Sequence, residues 1–129
     1  MEDSVAEGRI QPAPTGPTIS THVLDTGLGA PAVGVNVTLY RLSDDGRPLR
    51  LTQALTDNDG RVRDLLERPL VVGQYRLEFD LAPRMFDEAA LVDRFFQRIS
   101  VDILVGDVAR SYHVPVLLSP YSLTTYRGS

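Results

Sequence analysis

An all-β sandwich is the fold class this sequence predicts. Three observations carry it: two-residue alternation of apolar and polar side chains, turn residues at short intervals, and a single stretch with helical spacing. Val35, Val37 and Leu39 alternate with Asn36, Thr38 and Tyr40, as on a strand with one buried face. Tyr75, Leu77, Phe79 and Leu81 alternate with Arg76, Glu78 and Asp80 in the same way. Asp44-Asp45-Gly46 ahead of Arg47-Pro48, and Asp59-Gly60 between two short runs, carry the residues of hairpin turns. The strands expected are 19–24, 35–42, 50–56, 62–66, 73–81, 96–103, 110–117 and 121–126, about eight in two sheets. One short helix is expected over about 84–94, after Pro83, where Met85, Ala89 and Val92 or Phe86, Ala90 and Asp93 recur at helical spacing.

A chain of 129 residues fits one domain around a single core. Residues 1–17 include Gln11, Pro12, Ala13, Pro14, Thr15, Gly16 and Pro17, a mixture that buries little, and are expected to form a flexible tail ahead of a domain over 18–129. With 43% hydrophobic and 23% charged residues the composition is that of a globular protein, and no apolar run is long enough to span a bilayer. A net charge of -4, with 13 scattered arginines as the basic residues, argues against a nucleic-acid partner, which demands a clustered basic surface. The acidic N-terminus has no apolar stretch of signal-peptide length, so a soluble cytoplasmic protein is expected.

The catalytic options are few. Without cysteine there is no thiolate nucleophile or cysteine-bound metal, and without lysine there is no Schiff base or Walker-type phosphate lysine. No G-x-S-x-G elbow is present, and Gly27, Gly29 and Gly34 do not form a dinucleotide-binding loop. Thr56-Asp57-Asn58-Asp59-Gly60-Arg61 resembles part of a calcium loop, but aligning Gly60 with the loop glycine puts Leu55 and Leu66 where ligands belong. It reads as a turn.

What remains is a pair of histidines, His22 and His113, each in an expected strand. Imidazole titrates near neutrality and is the usual general acid or base, although a lone histidine is more often a hydrogen-bonded structural residue. Two histidines with only separated carboxylates such as Asp25 give no compact metal-ligand spacing, so no metal and no cofactor are expected. Arg61 is ordinarily a solvated strand-end charge; its sharper reading is a guanidinium that steadies an oxyanion. Ser20 shares a strand face with His22 and reads as an ordinary hydrogen-bonding residue. Tyr126-Arg127-Gly128-Ser129 is either a frayed tail or, folded inward, a source of an arginine, a hydroxyl and the terminal carboxylate.

Ser20-Thr21-His22-Val23-Leu24-Asp25, Asp59-Gly60-Arg61, Tyr112-His113-Val114-Pro115 with Ser119-Pro120, and the terminal Tyr126-Arg127-Gly128-Ser129 together resemble the 5-hydroxyisourate hydrolases of the transthyretin-like family. The similarity runs over about residues 18–129, and the terminal tetrapeptide is its most specific element, because it separates these hydrolases from the hormone-carrying transthyretins. The resemblance implies a transthyretin-like two-sheet sandwich with one short helix, and a homotetramer, a dimer of dimers, with sites in the channel between dimers. It implies a metal-free hydrolase acting on 5-hydroxyisourate in urate degradation. His22, Arg61, His113 and Ser129 carry over as catalytic residues. Tyr126 and Arg127 join His22, Arg61 and Ser129 in substrate binding. Which histidine is base and which is acid or orienter stays open. The rival readings are a carrier of a small aromatic ligand on the same fold, which would want a more apolar channel, and a structural β-sandwich, which leaves both histidines and the terminal motif unexplained.

Overall fold

The computed structural model describes residues 11–81 and 95–129. The helix expected over 84–94 lies outside the described residues. Nine strands follow in order: β1 Ile19–Asp25, β2 Ala30–Pro31, β3 Asn36–Leu42, β4 Pro48–Leu55, β5 Arg61–Val62, β6 Gly73–Asp80, β7 Arg98–Val105, β8 Tyr112–Leu118 and β9 Leu123–Thr125. They form two sheets. One runs β2-β1-β8-β9 with β5 also on β1, and the other runs β4-β3-β6-β7.

The period-two pattern places the core between the sheets. Val37 lies opposite Phe79 and Leu39 opposite Leu77, and all four side chains are fully buried. From the other sheet Ile19, Val23, Val114 and Val116 complete the same cluster. Full burial of side chains of this size contributes about 1.5–3 kcal/mol each against chain entropy. On β1 the buried residues are Ile19, Thr21 and Val23, so Ser20, His22 and Leu24 fall on the opposite, outer face.

β1 and β8 pair in parallel, with Ser20 beside His113 and His22 beside Pro115. That pairing joins segments some ninety residues apart, and it holds the two histidine-bearing strands side by side. β5 covers the other edge of β1, with Arg61 opposite His22.

The two turns behave differently. Ser43 to Arg47 closes the β3–β4 hairpin, with Gly46 at φ 83° and its N–H donating to the Ser43 carbonyl at 2.8 Å. The Asp57–Gly60 turn, expected to be a second hairpin, instead hands the chain from β4 in one sheet to β5 in the other. The expected strand over 62–66 stops after Val62. Beyond it the Asp64 carboxylate takes the N–H groups of Leu66 at 3.1 Å and Glu67 at 2.9 Å, which turns the backbone out of extended pairing and leaves Glu67 at φ 55°. Leu65 and Leu66 are buried all the same, so their apolarity reports the core rather than a strand.

Candidate active site

The site is assembled on the outer face of the β1–β8 pair, starting from the Asp57 turn. Asp57 is 1% exposed, and its Oδ1 accepts the N–H groups of Asp59 at 2.9 Å and Arg61 at 3.0 Å. These bonds use the carboxylate to shape the turn, which is why the calcium-like spelling of this stretch is a turn and nothing more. Gly60 at φ 78° passes so close to β1 that its carbonyl accepts the Val23 N–H at 2.8 Å. The Asp57 turn therefore fixes two groups at once: the backbone of Arg61 and the carbonyl of Asp59.

That carbonyl takes a hydrogen bond from His22. The contact between His22 Nε2 and the Asp59 oxygen is 2.7 Å, and since a carbonyl only accepts, Nε2 carries the proton. Nδ1 is then the nitrogen left with the lone pair in neutral His22. His113 is held through its other nitrogen: Nδ1 is 2.8 Å from Ser20 Oγ, where either group can donate. Burial pushes both imidazoles below the ordinary histidine value of 6.5, and the Arg61 guanidinium lowers both further. His22 also disfavours the charged form of His113. Both rings are held toward the neutral, basic state that proton abstraction calls for.

The terminal tetrapeptide is folded inward. Gly128 N–H donates to the His113 carbonyl at 2.8 Å, which forms an isolated bridge beyond β9. No side chain fits there: a Cβ on Gly128 would lie 2.6 Å from His113 Cδ2, the carbon next to Nε2. Arg127 lies over the Tyr112 ring, with Cζ 5.1 Å from the centroid, and Arg110 approaches the same ring at 5.8 Å. A groove of about 790 Å³ is lined by Ser20, Arg61, Arg63, Arg110, His113 and Ser129, among others. Tyr126 and Arg127 stand on a separate, mostly apolar groove of about 330 Å³ that reaches His113 between β7 and β8.

Of the residues singled out from sequence, Arg61, His113 and Ser129 share the larger groove. His22 is coupled to it through Arg61 and His113 but does not line it. Three residues carry more than the sequence indicated. Ser20, read as ordinary, is the partner of His113; its place two residues before His22 was the available signal. Arg63 and Arg110 add two cations to the groove, and nothing in their local sequence marked them. Among the described residues no group of three or more His, Cys, Asp or Glu side chains is placed to hold a metal ion. No helix among the described residues is long and apolar enough to cross a membrane.

The shared effect of Arg61 on both rings is open to direct measurement. Arg61→Gln is expected to raise the titration midpoints of His22 and His113 together, read from imidazole proton shifts by NMR, while burial, the larger cause, continues to lower both. Midpoints that stay put would show that the guanidinium is not electrostatically coupled to the rings.

This β-sandwich, with two histidines, an arginine and the Tyr-Arg-Gly-Ser segment on one polar face, belongs to a class of proteins that its sequence identifies. Residues 19–128 match the model of the HIUase/Transthyretin family, and the chain belongs to it. It is 42% identical over 116 residues to the 5-hydroxyisourate hydrolase of Deinococcus radiodurans, an alignment that covers 88% of this chain and 97% of the relative. Among solved structures, the Klebsiella pneumoniae 5-hydroxyisourate hydrolase superposes with a TM-score of 0.71 at 33% identity, over 88% of this chain and 99% of that one. Sea bream transthyretin in complex with thyroxine superposes with a TM-score of 0.75 at 27% identity, over 85% of this chain and 93% of that one.

Proposed function

We propose that the chain hydrolyses 5-hydroxyisourate to 2-oxo-4-hydroxy-4-carboxy-5-ureidoimidazoline without a metal or cofactor, as a step of urate degradation. One observation carries this reading above the others: His113, Arg61 and Ser129 line a single groove, with His22 opposite Arg61 on the neighbouring strand. A carrier would be better served by an apolar cavity, whereas this groove presents three arginines, three serines and an imidazole beside Ala13 and Pro14. Relatives named as 5-hydroxyisourate hydrolases support the same choice.

The chemistry needs water made nucleophilic at neutral pH and a positive charge beside the oxyanion that its attack creates. His113 is the base in this reading, because it lines the groove. When Ser20 Oγ accepts the Nδ1 proton of His113, Nε2 holds the lone pair and removes a proton from water. The water oxygen bonds to the ring carbonyl carbon, and the electron pair moves onto the carbonyl oxygen, where Arg61 faces it with its charge. Collapse of that intermediate breaks the carbon–nitrogen bond. The proton held by His113 passes to the leaving ring nitrogen, and the new group ionises as a carboxylate. His22, opposite Arg61 on the neighbouring strand, orients Arg61, and the Ser129 side chain fixes the ring in place, with Tyr126 and Arg127 holding the 126–129 motif.

Hydrolysis in ¹⁸O-water is the test of the reaction type. One ¹⁸O is expected in the product carboxylate, seen by mass spectrometry; a carboxylate without label would exclude attack by water. The homotetramer, a dimer of dimers, belongs to the same proposal. It is supported by family membership and by a site that lies on the surface of one sheet, where a second chain would be needed to enclose it. Light scattering should then give a mass of four chains.

A further inference from the structure

The segment ahead of β1 is tied down at both ends. At one end the Gln11 side chain makes three hydrogen bonds to the backbone just past β5. Its Oε1 accepts the N–H groups of Arg63 at 2.8 Å and Asp64 at 2.9 Å, and its Nε2 donates to the Asp64 carbonyl at 3.0 Å. At the other end Thr18 is fixed three ways. Its N–H donates to Ser111 Oγ at 3.0 Å, its hydroxyl to Asp64 Oδ1 at 2.5 Å, and its carbonyl accepts the Tyr112 N–H at 2.8 Å. The Gln11 bonds and the Thr18 bond to Asp64 land where β5 ends and the backbone of Arg63 and Asp64 leaves the sheet, and the other Thr18 bonds land at the start of β8. Gln11 satisfies there the amide groups that a longer strand would have paired.

Between the two anchors the chain is stiffened by Pro12, Pro14 and Pro17, whose rings fix φ and reduce the entropy lost on ordering. Ala13 and Pro14 line the same groove as Arg61, Arg63, His113 and Ser129. They are apolar members of its lining, and the same Gln11 bonds hold the backbone of one of its arginines, Arg63.

We propose that residues 11–18 are a wall of the substrate groove and that Gln11 is the positioning residue that holds it. The substrate class is a flat, polar heterocycle that acquires negative charge during reaction: its ring packs on Ala13 and Pro14, and its oxyanion edge meets the arginines. This inference rests on the hydrolase reading for the identity of the substrate.

Steady-state kinetics of Gln11→Ala and Gln11→Glu in the full chain test it. Removing one hydrogen-bonded latch of this kind costs about 1 kcal/mol, which corresponds to a KM roughly fivefold higher. Gln11→Ala is expected to show that rise in KM, with kcat held within about twofold of wild type and hydrogen exchange faster at the Arg63 and Asp64 amides. Gln11→Glu keeps an acceptor for both N–H groups but sets its second oxygen against the Asp64 carbonyl, so it should recover only part of the KM. Wild-type turnover with KM unchanged in Gln11→Ala would overturn the wall while leaving the hydrolase reading intact. A fall in kcat at constant KM would likewise overturn it, because a wall acts on binding. Absence of turnover in the wild type would instead overturn the hydrolase reading, and the wall's assignment with it.

Discussion

Replacing His113 with alanine is expected to lower kcat/KM for 5-hydroxyisourate by about 100-fold to 10,000-fold, the contribution typical of a positioned general base. The fold should survive, because His113 lies on the outer face of β8 while its neighbours Tyr112 and Val114 supply the buried contacts. His22→Ala should also be severely impaired, since it removes the ring opposite Arg61 and frees the Asp59 carbonyl. The activity that remains should show a changed pH profile. In the wild type, kcat/KM is expected to rise with pH and to level off once the rings are neutral. Its acid limb should fall below 6.5, because burial and the Arg61 guanidinium push both imidazoles below their ordinary value. Near-normal turnover in both variants would remove the histidines from the reaction altogether.

The second large effect is expected at Gly60, where the sequence allows no other residue for two reasons. Its φ of 78° is a backbone conformation that L-residues adopt at a cost of roughly 1–2 kcal/mol. In addition, a Cβ there would sit 2.4 Å from the Val23 carbonyl oxygen, which is backbone in the middle of β1 and cannot swing aside. Gly60→Ala should therefore cost on the order of 3 kcal/mol or more and lower Tm by roughly 10 °C. The disturbance falls on the turn that sets both Arg61 and the Asp59 carbonyl, so activity should fall further than the unfolded fraction explains. Thermal unfolding and kcat measured well below Tm separate the two effects; a variant with wild-type Tm would show that β1 and the turn are not held in contact.

The parts of the fold that could be read from sequence are those governed by neighbours in sequence. Val35, Val37 and Leu39, and Tyr75, Leu77 and Phe79, announce their strands because each strand buries one face, and that alternation is local. The β3–β4 hairpin was legible for the same reason. The Asp57 turn was recognisable as a turn, but not as a link between sheets, because the partner of β5 is β1, nearly forty residues away. The run 62–66 misled because buried leucines look alike in a strand and in a loop that plugs the core, and the capping by Asp64 has no periodicity.

The site followed the same division. Family resemblance brought His22, Arg61, His113 and Ser129 forward together, and membership of the HIUase/Transthyretin family bears out that resemblance. What the residues alone could not give was the parallel β1–β8 register, which sets Ser20 against His113. Nor could they give the stacking of Arg127 on Tyr112 or the entry of Arg63 and Arg110 into the groove. Each depends on contacts between distant segments. The preference for glycine at position 128 belongs here too: in sequence it is one letter of a terminal motif, and in the structure any side chain there would push the His113 ring aside.

The groove on the β1–β8 face is proposed to hydrolyse 5-hydroxyisourate with its own side chains. The most direct measurement follows the ultraviolet absorbance of freshly generated 5-hydroxyisourate, with wild-type protein, with His113→Ala, and with chelator present throughout. Decay accelerated above the spontaneous rate, undiminished by chelator and abolished by the substitution, is the predicted result. Decay at the spontaneous rate with wild-type protein, or acceleration that chelator removes, would contradict it.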